Sequence, residues 1–166
     1  MRSWFWIGCV CAAAFAVVFF FPRHLVLEIV NVNSRQMVLC ADMADGEEFV
    51  LSFIHSVNKR PVYDTLRAAR DHLVIVKSRF DAFGAGMPES STEEGTLRVA
   101  EDGWLEWTTN RSVPEVVVRV GRVAEHTLHL KGRSVPLKDV AEPGSPLSMQ
   151  IQQRSRYAVW KERCIR

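Results

Sequence analysis

"FVLSFIHSVNKRPVYDTLRAA", residues 49–69, sets two apolar runs on either side of a polar turn, with a histidine and an aspartate where the pattern asks for core. Phe49, Leu51 and Phe53 alternate with other residues, and His55 takes the next place on their face. Beyond the turn, Val62 and Leu66 resume the apolar face, with Asp64 between them. Alternation of period two belongs to half-buried strands, so the stretch predicts a β-hairpin. A turn centred on residues 59 and 60 sets His55 opposite Asp64, Phe53 opposite Leu66 and Leu51 opposite Ala68. A shorter turn moves the register by two and leaves His55 and Asp64 as diagonal neighbours. Either register brings the two side chains together. A carboxylate beside an imidazole favours the imidazolium and fixes the ring. The pair therefore reads either as a hydrogen-bonded closure of the hairpin or as a polar patch at the mouth of the core.

Outward from this hairpin the chain continues in short strands. "LVLEIVNV" (25–32) and "QMVLCA" (36–41) precede it, and "HLVIVKSRF" (72–80) follows. After the loop "DAFGAGMPESSTEEG" come "TLRVA", "WLEWTT", "EVVVRV", "EHTLHL" and "PLSMQIQQ", divided by Gly, Pro, Asn and Asp. No window of this region carries an apolar period of 3.6 residues. The expectation is an all-β domain, an antiparallel β-sandwich or barrel-like fold, over residues 24–152. The basic tail 153–166 is open between a short helix, a last strand and a loose end.

Residues 4–21, "WFWIGCVCAAAFAVVFFF", form an uncharged run of 18 closed by Pro22 and Arg23. At helical rise the run spans roughly 27 Å, close to the thickness of a bilayer's hydrocarbon core. Residues 1–23 are expected to be an N-terminal transmembrane anchor, with a cleaved signal segment or a lipoprotein signal at Cys9 as alternatives. An anchor followed by one domain puts that domain outside the cytoplasm. Residues 24–166 hold 19 basic and 19 acidic side chains, so the domain is neutral. Nucleic-acid affinity rests on phosphate neutralisation, and that class is set aside. Cys40 and Cys164 are the domain's only cysteines. Outside the cytoplasm they can be joined, although spacing does not fix connectivity.

Further candidates lie on the same inward pattern. Val74, Val76, Ser78 and Phe80 share a face by alternation, so Ser78 interrupts an apolar set. His126 shares a face with Leu128 and Leu130, and His129 takes the other. In "FDAFGAGMPE" (80–89) two glycines flank one alanine, which frees the backbone to present N–H groups to an anion or a carbonyl. The segment lacks the Rossmann and Walker endings. Residues 81–97 hold the acids Asp81, Glu89, Glu93 and Glu94 and no Lys or Arg, which argues against phosphate. A surface loop with a glycine turn is the plainer reading, but long loops in compact domains commonly carry function.

"FIHSVNKRPVYD", "SRFDAFGAGMPE" and "VRVGRVAEHTLHL" resemble, in order, segments of a bacterial family catalogued as domain of unknown function 1850. The resemblance runs over most of residues 25–151. It places His55, Ser56 and Pro61 on the first segment, and Asp81, Phe83, Gly84, Gly86 and Pro88 on the second. Asp64 stands where glutamate is more usual in the family. The resemblance implies an extracytoplasmic accessory protein of TAXI-type TRAP solute transporters at the bacterial inner membrane. Its implied partners are the permease or the solute-binding protein, and its implied ligand is a small organic acid or amino acid.

The expected function is such an accessory role, without catalysis and without a cofactor. A ligand site is expected from His55, Ser56, Asp64 and Ser78, with Asp81, Gly84, Gly86 and Glu89 from the loop and His126 beside them. A ligand-binding β domain independent of a transporter is the alternative. Two further readings have thinner support. One is a hydrolase using Asp64, His55 and Ser78, with Gly84–Gly86 as its oxyanion hole. The other is a metal site from His55, His126 and Asp64 or Asp81.

Overall fold

A computed structural model describes residues 6–7 and 16–166. Among them are eleven strands: β1 (Pro22–Asn31), β2 (Met37–Met43), β3 (Glu48–Ile54), β4 (Pro61–Ala68), β5 (Leu73–Phe80), β6 (Thr96–Val99), β7 (Leu105–Val113), β8 (Glu115–Arg119), β9 (Thr127–Leu130), β10 (Arg133–Pro136) and β11 (Pro146–Ser155). A 3-10 turn, Leu137–Asp139, and one short helix, α1 (Arg156–Lys161), complete them. The strands form two antiparallel sheets, β2-β1-β11-β8 and β10-β9-β3-β4-β5-β7-β6.

The two sheets pack face to face because each carries apolar residues at alternate positions. Leu27 and Ile29 of β1, Ala41 and Met43 of β2, and Leu147, Met149 and Ile151 of β11 supply one side. Phe49, Leu51, Leu66, Ala68, Leu73, Leu128 and Leu130 supply the other. This is the all-β sandwich expected from the alternation. One strand departs from the pattern. Val26, Leu27, Glu28 and Ile29 of β1 are buried in succession. Its second face is covered by α1, whose Val159 joins Val26, Cys40 and Cys164 in a small outer cluster.

The basic tail 153–166 thus completes β11, continues as the docked helix α1 and ends with Ile165 bridged to Ala41. Ser155 caps it, its hydroxyl accepting from the Ala158 N–H at 3.2 Å. A disulfide joins Cys40 to Cys164 across 124 residues. Arg154 donates to the buried carboxylate of Glu28 at 2.6 and 3.0 Å. No helix among the described residues is long and apolar enough to cross a membrane. The expected span over 4–21 falls mostly outside them, with only residues 16–20 described as a helical run.

Candidate functional site

The hairpin forms, in a different register from the expected one. Phe49 pairs with Leu66, Leu51 with Asp64, Phe53 with Val62 and Ile54 with Pro61. The turn is accordingly centred nearer residues 57 and 58. His55 closes it through its own N–H to the Arg60 carbonyl, with Lys59 at a φ of 58°. His55 and Asp64 keep to one face, but His55 lies four residues beyond Asp64's partner, about 13 Å along the strand. The expected contact between them is absent. The reason is the turn: a positive φ at Lys59 lets a tighter loop close than the sequence pattern implied.

Asp64 meets Ser78 instead. The two residues are register partners, and the Ser78 hydroxyl donates to Asp64 Oδ1 at 2.5 Å. Ser78 arrives there through a bulge. Asp64 pairs with Ser78 and Leu66 pairs with Ile75, so β5 carries one extra residue, Val76, at the irregularity. Ile75 and Ser78, three apart, thereby share the inward face, and the grouping of Ser78 with Val74 and Val76 by simple alternation is corrected. Continuing across the sheet, Ser78 pairs with Trp107 and Trp107 with Leu97. One inward row thus reads Leu128, Leu51, Asp64, Ser78, Trp107, Leu97. It is apolar except at its centre.

A pocket of about 350 Å³ opens over that centre. Asp64 and Ser78 lie in it with Phe53, Val62, Ile75 and Trp107. Gly86, Met87 and Pro88 of the glycine loop line another side, and Glu94, Thr109 and Arg111 complete the wall. Burial pushes the Asp64 carboxyl above its ordinary value, and the Ser78 hydrogen bond opposes that shift only in part. Arg111 is the cation of this wall, and no described residue forms an ion pair with it. A mixed chamber of aromatic and aliphatic walls, with the carboxyls of Asp64 and Glu94, a hydroxyl and the exposed guanidinium of Arg111, can hold a small anion with a hydrocarbon body.

The glycine loop is clasped to the hairpin turn. Asn58 donates to the carbonyls of Ala82 and Phe83 at 3.3 and 3.2 Å. Arg60 forms a two-pronged ion pair with Asp81, and the Phe83 ring lies edge-on to Phe80 at 6.2 Å. Gly84 sits where a Cβ would come within 2.8 Å of the Asn58 amide nitrogen and 3.3 Å of His55 Cε1. Gly86 takes a φ of 81°. These two glycines are required for different reasons, close approach at 84 and backbone conformation at 86. The third quoted segment joins the same end of the sheet. Ile54 donates its N–H to Ala124 at 2.7 Å, and Phe53 packs against the His126 ring at 5.6 Å. The first two segments line the pocket, and the third packs behind it against Phe53 and Ile54.

The remaining candidates divide. His55 accepts from the Val57 N–H at 3.3 Å and braces the turn, and Ser56 is exposed in it. Asp81 is spent on Arg60, and Glu89 faces solvent on the loop. His126 stands behind Phe53 with its Nδ1 accepting from Gly121, and burial lowers its pKa. The hydrolase arrangement fails, since His55 reaches neither Ser78 nor Asp64. The described residues contain no group of three or more His, Cys, Asp or Glu able to hold a metal. That removes the grouping of His55 and His126 with Asp64 or Asp81.

Trp107, Arg111, Met87 and Glu94 were missed. The signal was present in "WLEWTTNR", where Trp107, Thr109 and Arg111 occupy alternate positions and the exposed Arg111 lies at the pocket's rim. The outer face of the large sheet was also passed over. There Glu106, 4% exposed, accepts from Lys77 and Arg98, and these cations hold its carboxyl below the ordinary range. His129 bridges Ser52 and Ser134 at 2.8 Å each.

No curated protein and no solved structure gives a significant match to this chain. A family match covers residues 49–137, more than half of the chain, which takes in nearly the whole seven-stranded sheet together with β8. The clasped pocket lies wholly within the matched residues, and the chain belongs to the family described as Domain of unknown function (DUF1850).

Proposed function

We propose that this chain is a membrane-anchored extracytoplasmic accessory protein of a TAXI-type TRAP solute uptake system, and that its β-sandwich takes a small organic acid in the pocket at Asp64. The transporter setting is supported by the sequence resemblance and by the apolar run 4–21. The ligand class is supported by one observation above the others. Arg111, without an ion pair to any described residue, lines a chamber together with Phe53, Trp107, Met87 and Glu94, with the Asp64–Ser78 pair between β4 and β5. A carboxylate suits the guanidinium, and a hydroxyl or ammonium on the same ligand suits Asp64.

Calorimetry of the full chain against small mono- and dicarboxylic acids and amino acids tests the pocket. Arg111→Ala is expected to weaken binding by roughly 30-fold, the worth of a charge-assisted hydrogen bond. Equal affinity in the two proteins would remove the site. The uptake role has its own measurement. Deleting the gene should impair accumulation of one such acid while the dedicated solute receptor still binds it, and unchanged uptake across candidate acids would refute the role. A ligand-binding domain working without a transporter would show the first result and not the second.

A further inference from the structure

The C-terminal helix and the end of the apolar run meet in one surface of unusual chemistry. Tyr157 of α1 packs on Phe19 and Phe20 at ring separations of 5.9 and 5.4 Å, and on Trp160 at 6.1 Å. Trp160 is 63% exposed and Phe20 57%. Around Trp160, the side chains of Lys161, Arg163 and Arg166 line an open groove. Glu162 is the only acid from residue 154 onward, and Arg154 is, among the described residues, the one tail cation in an ion pair, held by Glu28. The disulfide and the buried Val159 fix α1 against β1 and β2, so the patch is rigid.

We infer that this aromatic and basic face is a docking surface for an anionic lipid bilayer, which α1 contacts at headgroup level. Two properties select that occupant. The patch is continuous with the 18-residue uncharged run 4–21, whose Phe19 and Phe20 pack on Tyr157. Tryptophan and tyrosine flanked by lysine and arginine are the side chains that settle at a membrane–water boundary, where rings sit among headgroups and cations meet lipid phosphates. A free acidic protein partner would match the cations but leave the contiguous Phe19, Phe20 and Tyr157 unexplained. The contact sets the domain's attitude: α1 lies against the membrane, and the large sheet, on the other side of the sandwich, faces away.

The inference rests on the anchored reading, and its test separates the two. The full chain is placed in nanodiscs of phosphatidylcholine alone or mixed with phosphatidylglycerol, and amide hydrogen exchange is followed over residues 156–166. Exchange there should slow in the anionic discs and return to its neutral-disc rate at high salt. The triple change Lys161→Glu, Arg163→Glu, Arg166→Glu should weaken the docked state by on the order of 100-fold or more, from the loss of three cations at a charged surface. Because reversal of three charges can loosen α1 itself, Trp160→Ser serves as a second variant. It keeps the cations, and should lose much of the slowing of exchange over residues 156–166 in anionic discs while matching the unaltered chain in neutral discs. Equal exchange in the two kinds of disc, or salt-independent protection, would overturn the inference. Resistance of the chain to alkaline extraction reports on the anchor independently. A chain extracted at alkaline pH but still protected by anionic lipid would sink the anchor and keep the docking surface.

Discussion

The folded chain holds the Asp64 proton more tightly than the unfolded chain does, because the carboxyl sits in the pocket among apolar neighbours. A raised folded-state value means that this group's stabilisation is complete below the unfolded value of about 3.8 and is lost as pH rises through the folded one. Asp64→Asn should therefore raise Tm at neutral pH, and the gain should vanish in acid below that range. Thermal melts of the two proteins across pH check this, and a pH-independent offset would contradict it. Gly84 gives a second expectation at this scale. Gly84→Ala places a methyl 2.8 Å from the Asn58 amide, so Asn58 must release the Ala82 and Phe83 carbonyls. The cost should be about 1–2 kcal/mol, with faster amide exchange over residues 81–88 as the local signature. Unchanged exchange there would mean that the clasp does not hold the loop.

Among elements, the hairpin β3–β4 marks the boundary of what the sequence states. Its existence followed from alternation and a polar turn, since period two tolerates few other readings. Its register did not, because SVNKRP contains no glycine to announce the tight closure, and Lys59 takes the left-handed conformation unadvertised. One wrong register moved a predicted His55–Asp64 pair apart and hid the Asp64–Ser78 pair. The β5 bulge at Val76 was equally silent, for "LVIVKSRF" reads as an unbroken strand. The tail behaves differently again. Nothing local in "RSRYAVWKERCIR" announces that its helix covers β1, and the reason lies in the distant bond from Cys40 to Cys164. Reducing that bond should lower stability by about 5 kcal/mol, as expected for a cross-link closing so long a loop, and should open α1 first. Denaturant titration with and without reductant measures the loss. An unchanged midpoint would show the helix to be held by Val159 and the Arg154–Glu28 pair alone.

Across the whole molecule, the sandwich was legible as a class because each strand declared one apolar face. Its topology was not legible, since strand order depends on contacts between residues far apart in sequence, such as Arg154 with Glu28. The position of β1, hydrogen-bonded between β2 and β11, carries a consequence for biosynthesis. The small sheet cannot be completed until residues 146–155 have left the ribosome, so until then β1 presents an unpaired edge next in sequence to the uncharged run 4–21. Nascent chains arrested before residue 146 should stay sensitive to protease over residues 22–43 and bind holdase chaperones. Release of the last twenty residues should end both behaviours together. Protection of residues 22–43 in the arrested chains would show that β1 and β2 form a stable unit without their late-arriving neighbour.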